Sequence, residues 1–199
     1  MSLFDDCGDS KGMPTRAHPG PTNWYIAKTV RDAGNTMAAA PDKMDGRTFR
    51  NTLSQFATGV VVATGCLDGQ PAGFAAQSFA SLSLDPPLVA VCPSRTSTSW
   101  PKLRQSGRFC INVLSAQQRS VCEQFAKPGV FADVPWRAGV TGSPILDGVL
   151  AYIDCELVAE HDGGDHLIAV GRVIDLAICD GTTAPLLFFR GTYGQFDAF

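Results

Sequence analysis

The run from Gly73 to Leu88, Gly-Phe-Ala-Ala-Gln-Ser-Phe-Ala-Ser-Leu-Ser-Leu-Asp-Pro-Pro-Leu, alternates small hydroxyl or amide side chains with apolar ones. Successive side chains of a strand point to opposite faces, so Gln77, Phe79 and Ser81 share one face, and Ser78, Ala80 and Leu82 the other. Gly73, Ala75 and Ala76 are small enough to let a ligand approach the backbone itself. Two readings stay open on the pattern alone. The run is either an ordinary half-buried strand ending at the stiff Asp85-Pro86-Pro87 corner, or a strand pair presenting polar groups to a flat, oxygen-rich ligand.

With 199 residues, 45% of them hydrophobic and 18% charged, the chain suits one globular domain plus a tail. Twenty glycines and thirteen prolines imply many turns. A net charge of -3 with no cluster of Lys or Arg excludes a nucleic-acid surface, and no nucleic-acid partner is expected. No apolar run approaches the roughly 20 residues that span a bilayer, and the first residues lack the pattern of a signal peptide. A cytoplasmic protein with no membrane association is the expectation. The seven cysteines, at 7, 66, 92, 110, 122, 155 and 179, are scattered, with no Cys-x-x-Cys and no neighbouring His at ligand spacing. Reduced thiols, mostly buried, are expected, with neither a metal site nor a disulfide framework.

Residues 1–44 mix Gly, Pro, Asp and Lys without a sustained period and read as a flexible extension, or as a start placed upstream of Met37 or Met44. Within it, Trp24–Lys28 has enough apolar character to dock on the domain or a neighbouring subunit. Gly8-Asp9-Ser10-Lys11-Gly12 fits Gly-x-Ser-x-Gly but lacks the strand and helix that a nucleophile elbow needs, so it reads as chance. From Asp45 the spacing turns helical, with Phe49, Leu53 and Phe56 at i, i+4 and i+7, giving a helix expected to cap the domain. Val60–Ala63, Ala72–Ser83, Leu88–Pro93, Phe109–Leu114, Leu150–Val158, Leu167–Ile178, Pro185–Phe189 and Tyr193–Phe196 read as strands, with Asp68-Gly69 as a hairpin turn. Thr98 or Ser99 caps a short helix ending at Gly107, and Ser115 with Gln118 forms a capping box for another, whose Val121 and Phe125 face inward. About eight strands and three or so short helices, without βαβ alternation, make an all-β barrel over residues 45–199.

Neither Gly-x-Gly-x-x-Gly after a strand nor Gly-x-x-x-x-Gly-Lys-Ser/Thr is present, so any nicotinamide cofactor binds without a Rossmann domain. Between Cys92 and Trp100 stand five hydroxyls and Arg95, ahead of a helix. This is either a phosphate-binding segment or a solvated loop whose last hydroxyl caps the helix. His166, at the start of a long strand after two glycines, is the acid–base candidate; the alternative is a histidine making a structural hydrogen bond at a strand end. Phe188, Phe189 and Tyr152 read as core.

Five blocks carry a family resemblance: Phe56-Ala57-Thr58-Gly59-Val60; Gly73 to Leu88; Gly107 to Leu114; Gly163-Gly164-Asp165-His166; and Pro185 to Tyr193. In this order, Phe49 to Phe196 resembles the flavin reductase family, and is most similar to reductases serving aromatic-ring or steroid-ring hydroxylases. Gln77 departs from the asparagine many relatives carry. The resemblance implies an FMN-binding split β-barrel and a homodimer with flavin near the subunit boundary. It implies reduction of FMN or FAD by NADH, favoured over NADPH, and release of reduced flavin to a separate monooxygenase. By the same resemblance, Pro71, Ala72, Gly73, Phe74, Ala75, Gln77 and Ser78 face the isoalloxazine. Cys92, Pro93, Ser94, Thr98 and Ser99 hold flavin, and Gly163, Gly164, Asp165 and His166 receive NADH, with His166 in a mainly positioning role. Arg190 and Tyr193 match the family without an assignable role. The rival readings are a flavin-retaining oxidase of the same fold, like relatives of pyridoxamine-phosphate oxidase, and a non-enzymatic flavin-binding protein.

Overall fold

In the computed structural model, which describes residues 45–179 and 184–198, the backbone follows from where apolar side chains can be buried twice. A first helix, α1 (Gly46–Leu53), starts at Asp45, whose carboxylate accepts the Arg47 and Thr48 amides. The strands β1 (Thr58–Gly59), β2 (Val61–Leu67), β3 (Gln70–Ala76), β4 (Ala80–Leu84) and β5 (Pro87–Val91) follow. After α2 (Trp100–Ser106) come β6 (Arg108–Val113), a 3₁₀ turn at Ala116–Gln118, α3 (Arg119–Phe125), β7 (Trp136–Ala138) and β8 (Pro144–Leu146). Two long strands, β9 (Ala151–Gly163) and β10 (His166–Ile178), and the short β11 (Leu186–Phe189) and β12 (Thr192–Gln195) complete the order. The readings at Met37, Met44, Trp24–Lys28 and Ser10 lie outside the described residues.

Seven strands form one antiparallel sheet in the order β3-β2-β6-β9-β10-β5-β4. Its two edges, β3 and β4, are joined by only Gln77, Ser78 and Phe79. Four Cα steps reach at most about 14 Å, whereas a flat seven-stranded sheet would hold its edges about 29 Å apart. The sheet must therefore curl until its edges nearly meet. They do not hydrogen-bond, so the all-β barrel stays split along one seam. The alternation expected to run unbroken through Gln77–Phe79 is interrupted there, because those residues carry the chain across the seam and have no strand partner.

The central strands β2 and β6 are buried on both faces. Val61 and Ala63 of β2 join Trp100 and Leu103 of α2, Phe109, Ile111 and Ala169 inside the curl. Val60 and Val62 face the other way, onto Phe125 of α3, Leu114, Leu146 and Leu186. Strands buried on both sides read as continuous apolar runs. The space inside is tight: a Cβ on Gly171 would sit 2.5 Å from Phe109 Cζ. A three-stranded sheet, β1-β11-β12, lies beside this core, tied to it by Val60 N–H to Leu186 O at 3.1 Å.

Local signals set several of these junctions. Asp68 (φ 52°) and Gly69 (φ 76°) make the β2–β3 turn. Ser115 N–H donates to Gln118 Oε1 at 3.1 Å, closing the expected capping box, and Val121 and Phe125 pack inward. The expected cap at Thr98 or Ser99 is different: Ser99 makes no side-chain cap bond, and the Trp100 N–H is taken by Ser97 Oγ at 3.1 Å. Helix α1 does not cap the core as its spacing suggested, since none of its residues is buried. Tyr152 is core, but Phe189 is exposed and Phe188 half-buried.

Candidate functional site

An open cleft of about 500 Å³ lies along the seam. Its floor comes from the β3 edge, Phe74, Ala75 and Ala76, with Val60 beside them. Gln77 and Ser78 cross the seam at its rim, and the Ser78 hydroxyl accepts the Cys92 N–H at 3.0 Å while donating to Cys92 O at 3.3 Å. Ser78 precedes β4 and Cys92 follows β5, so this side chain prolongs the β4–β5 pairing and anchors the crossing segment on that side of the seam. Gln77 is held by Thr58 Oγ1 at 3.3 Å.

The opposite wall is the loop after β5. Ser94, Thr96, Ser97, Thr98 and Ser99 all line the cleft, with Ser94 Oγ and Thr96 Oγ1 2.9 Å apart. The segment after α3 also brings Lys127 to the cleft. Among the described residues Lys127 has no ion-pair partner. Among the described residues no Asp or Glu lines the cleft, although the chain carries a net charge of -3. Hydroxyls plus one cation, without a carboxylate, form a wall suited to an anionic group such as phosphate. Deeper, Cys122 Sγ and Tyr193 OH lie 3.4 Å apart. That contact and burial push the Tyr193 phenol up to about 12, and burial pushes the Cys122 thiol up. The inner wall is therefore neutral at physiological pH.

The third wall is the tip of the β9–β10 hairpin, where His166 enters the cleft. Ser94 and His166 face each other in an antiparallel bridge, and Leu167 N–H donates to Pro93 O at 2.9 Å. His166 Nδ1 is 2.8 Å from Asp165 Oδ1, and the hydrogen bond with His166 holds the Asp165 carboxyl below its usual range. The imidazole is thereby oriented by its neighbour.

Of the residues singled out in the sequence, Phe74, Ala75, Gln77, Ser78, Cys92, Ser94, Thr98, Ser99 and His166 are brought together on this cleft. Pro71, Ala72, Gly73 and Pro93 do not line it. Ala72 packs into the core, Pro71 lies further along β3 opposite Cys66, and Pro93 is fully buried. The room left by Gly73 is filled by Phe125, whose Cε1 would be 2.8 Å from a Cβ there. Gly163, Gly164 and Asp165 form the exposed turn behind His166, with Gly164 at φ 77°. Thr96 and Ser97, read in the sequence only as two of five hydroxyls, also line the cleft, and the sequence reading missed Phe125 and Lys127; Lys127-Pro128-Gly129 looks like any turn, and only the chain path brings it to the cleft. Arg190, which had no role, donates from Nε to Gln55 Oε1 at 2.7 Å, and its N–H to Ser54 O at 3.1 Å, tying β11 to the end of α1. The six cysteines of the described residues are all unpaired.

Comparison with known proteins agrees with this architecture. Residues 53–197 match the flavin reductase like domain. The reductase subunit HsaB of a flavin-dependent monooxygenase from Rhodococcus jostii (strain RHA1) is 51% identical over 158 residues, covering 78% of this chain and 80% of HsaB. The crystal structure of a nitrilotriacetate monooxygenase component B homologue from Mycobacterium thermoresistibile superposes with a TM-score of 0.74 at 49% identity, over 77% of this chain and 87% of that one. The NADH:FAD oxidoreductase SgcE6 of Streptomyces globisporus C-1027, solved with NAD and FAD fragments, gives a TM-score of 0.73 at 32% identity, over 80% of this chain and 98% of that one. The seam-bordered sheet and the match over 53–197 together place this chain in the flavin reductase family.

Proposed function

We propose that this protein is an NADH-dependent flavin reductase, the reductase component of a two-component system whose separate monooxygenase takes up the reduced flavin. The observation that carries the reading is the cleft itself. Hydroxyls and Lys127 with no carboxylate among the described residues, an apolar floor at Phe74–Ala76, and the His166 tip bridged to Ser94 offer an anion site and a planar shelf in one space. Its volume of about 500 Å³ lies in the range of small-molecule sites.

When bound, flavin and NADH supply the reacting atoms, with hydride passing from nicotinamide C4 to flavin N5. The chain's own work is to position. Ser94, Thr96, Thr98 and Lys127 hold the phosphate end, while Phe74 to Ser78 offer small side chains and backbone groups to the ring. His166, steadied by Asp165, faces the nicotinamide side, and no protein nucleophile is required. Because the cleft is open at its rim, reduced flavin leaves by diffusion, and modest affinity favours turnover. NADH is preferred over NADPH, and either FMN or FAD fits a wall whose contacts lie at the phosphate and ring.

The activity resides in residues 45–199, within which the family match of 53–197 falls, with 1–44 as an extension. The protein works as a homodimer in the cytoplasm. Dimerisation is supported by α1, an eight-residue helix none of whose residues is buried among the described residues, with Phe49, Leu53 and, just beyond it, Phe56 at 50, 56 and 78% exposure. So short a helix needs packing to persist. The face adjoins Gln77, which also lines the cleft, so subunit contact and flavin site are neighbours.

The test separates a diffusing product from a retained one. Protein and NADH are placed with flavin on one side of a dialysis membrane under anaerobic conditions, and a reducible dye that the protein does not touch on the other. Dye reduction across the membrane supports the reading; flavin that stays bound, with no dye reduction, favours a flavin-retaining oxidase or a binding protein.

A further inference from the structure

Ser94 and Thr96 line the cleft, yet Arg95 between them reaches the β9–β10 hairpin instead. Its Nε donates to Gly164 O at 2.8 Å, a terminal nitrogen pairs with the Asp162 carboxylate, and its own N–H donates to Asp165 O at 3.0 Å. One residue of the hydroxyl loop thus makes three bonds to the turn that carries His166. The β9–β10 ladder and the Ser94–His166 bridge hold the backbone on either side, but residues 161–166 are all exposed, Gly164 sits at φ 77°, and Arg95 supplies the side-chain bonds that reach the turn from the hydroxyl loop. The Arg95–Asp162 pair is itself exposed, at 46 and 88% of the side chains, so salt screens its attraction. What it adds is geometry, because a guanidinium presents its donors in a rigid fork that an ammonium lacks.

We propose that Arg95 is a positioning residue, which fixes the Asp162–Asp165 turn so that His166 stands opposite the hydroxyl wall and the nicotinamide is received in register with the flavin. This rests on the flavin reductase reading, but the clamp can be tested without it. The side chain touches neither cofactor space nor the reacting atoms. Its effect passes through the turn alone.

The full-length protein, Arg95→Ala and Arg95→Lys are compared by three measurements: NADH kinetics, flavin affinity, and amide hydrogen exchange of residues 161–168. Losing a net hydrogen bond of this kind corresponds to about a fivefold change. Arg95→Ala is expected to raise the KM for NADH by about that factor and to speed exchange in the turn, with flavin affinity changed less than about twofold. Arg95→Lys is expected to recover less than half of the loss, since it keeps the charge and not the fork. Unchanged exchange in Arg95→Ala overturns the clamp whatever the activity. Faster exchange with an unchanged KM for NADH, or an equal loss of flavin affinity, overturns the positioning role. Should the parent protein fail to oxidise NADH at all, the flavin reductase reading falls, and the exchange measurement alone still judges the clamp.

Discussion

The hydroxyl of Ser78 takes both hydrogen bonds of Cys92, accepting its N–H at 3.0 Å and donating to its carbonyl at 3.3 Å, and so ties the segment that crosses the seam to the end of β5. Ser78→Ala removes both. Water reaches this exposed position, so the loss of stability should stay under about 1 kcal/mol, while the rim of the cleft loosens. Flavin affinity, measured by fluorescence titration, is expected to fall about fivefold, with the melting temperature little changed.

His166 enters the cleft from the hairpin tip. His166→Ala should raise the KM for NADH by roughly tenfold, equivalent to about 1.4 kcal/mol, and lower flavin affinity less. Steady-state kinetics with NADH varied at saturating flavin check this. Equal NADH kinetics in variant and parent would remove His166 from the site.

Gly73 influences the cleft through Phe125. A methyl at Gly73 would lie 2.8 Å from Phe125 Cε1 and 3.0 Å from Ala63 O, so the ring, which lines the cleft, must move. Overpacking of this kind costs about 1–3 kcal/mol. Gly73→Ala is expected to lower both the melting temperature and flavin affinity, as seen by calorimetry and titration. A variant with lowered stability and parental flavin affinity would show that Phe125 does not shape the cleft.

Alkaline pH should weaken the fold. Burial pushes the Cys155 thiol up to about 12 and the Cys110 thiol higher still, and the Cys122 contact with burial pushes Tyr193 up to about 12. In the unfolded chain thiols ionise near pH 8.5 and phenols near about 10. Above about pH 8.5 the unfolded state therefore binds fewer protons than the folded one, and stability falls as pH rises. The melting temperature should show no contribution from these groups below about pH 8 and decline progressively above it. A flat profile to about pH 11 contradicts this.

Leu53 stands at the middle of the exposed apolar face of α1. Leu53→Asp places a charge there, which a covered interface would have to desolvate. Sedimentation should show the parent as a dimer and the variant shifted towards monomer, with flavin affinity reduced alongside. A monomeric parent would contradict the role given to this face.

Much of the fold was legible because several signals are local. The helical spacing from Asp45, Asp68-Gly69 as a turn, the Ser115–Gln118 box and the long strands β9 and β10 each depend on neighbours within a few residues. The seam was not legible, since Gln77–Phe79 keeps a strand's alternation and only the sheet order makes it a crossing. Short strands such as β7 and β8 form because the chain brings them together, not because three residues prefer extension. At the site, the hydroxyls of 94–99 and His166 were visible as residue types in a pattern. Lys127 and Phe125 were not, because each reaches the cleft through long-range packing. The exposed face of α1 was read as a cap on its own chain, since spacing records amphipathicity and not which surface covers it.

The central claim is that the seam cleft brings NADH and a free flavin together for hydride transfer. The most direct test mixes purified protein anaerobically with NADH and either FMN or FAD and follows the nicotinamide and flavin absorbance bands together. The account predicts that one NADH is consumed for each flavin bleached, at a rate that rises with added free flavin. Loss of neither band, in protein shown to bind flavin, would contradict it.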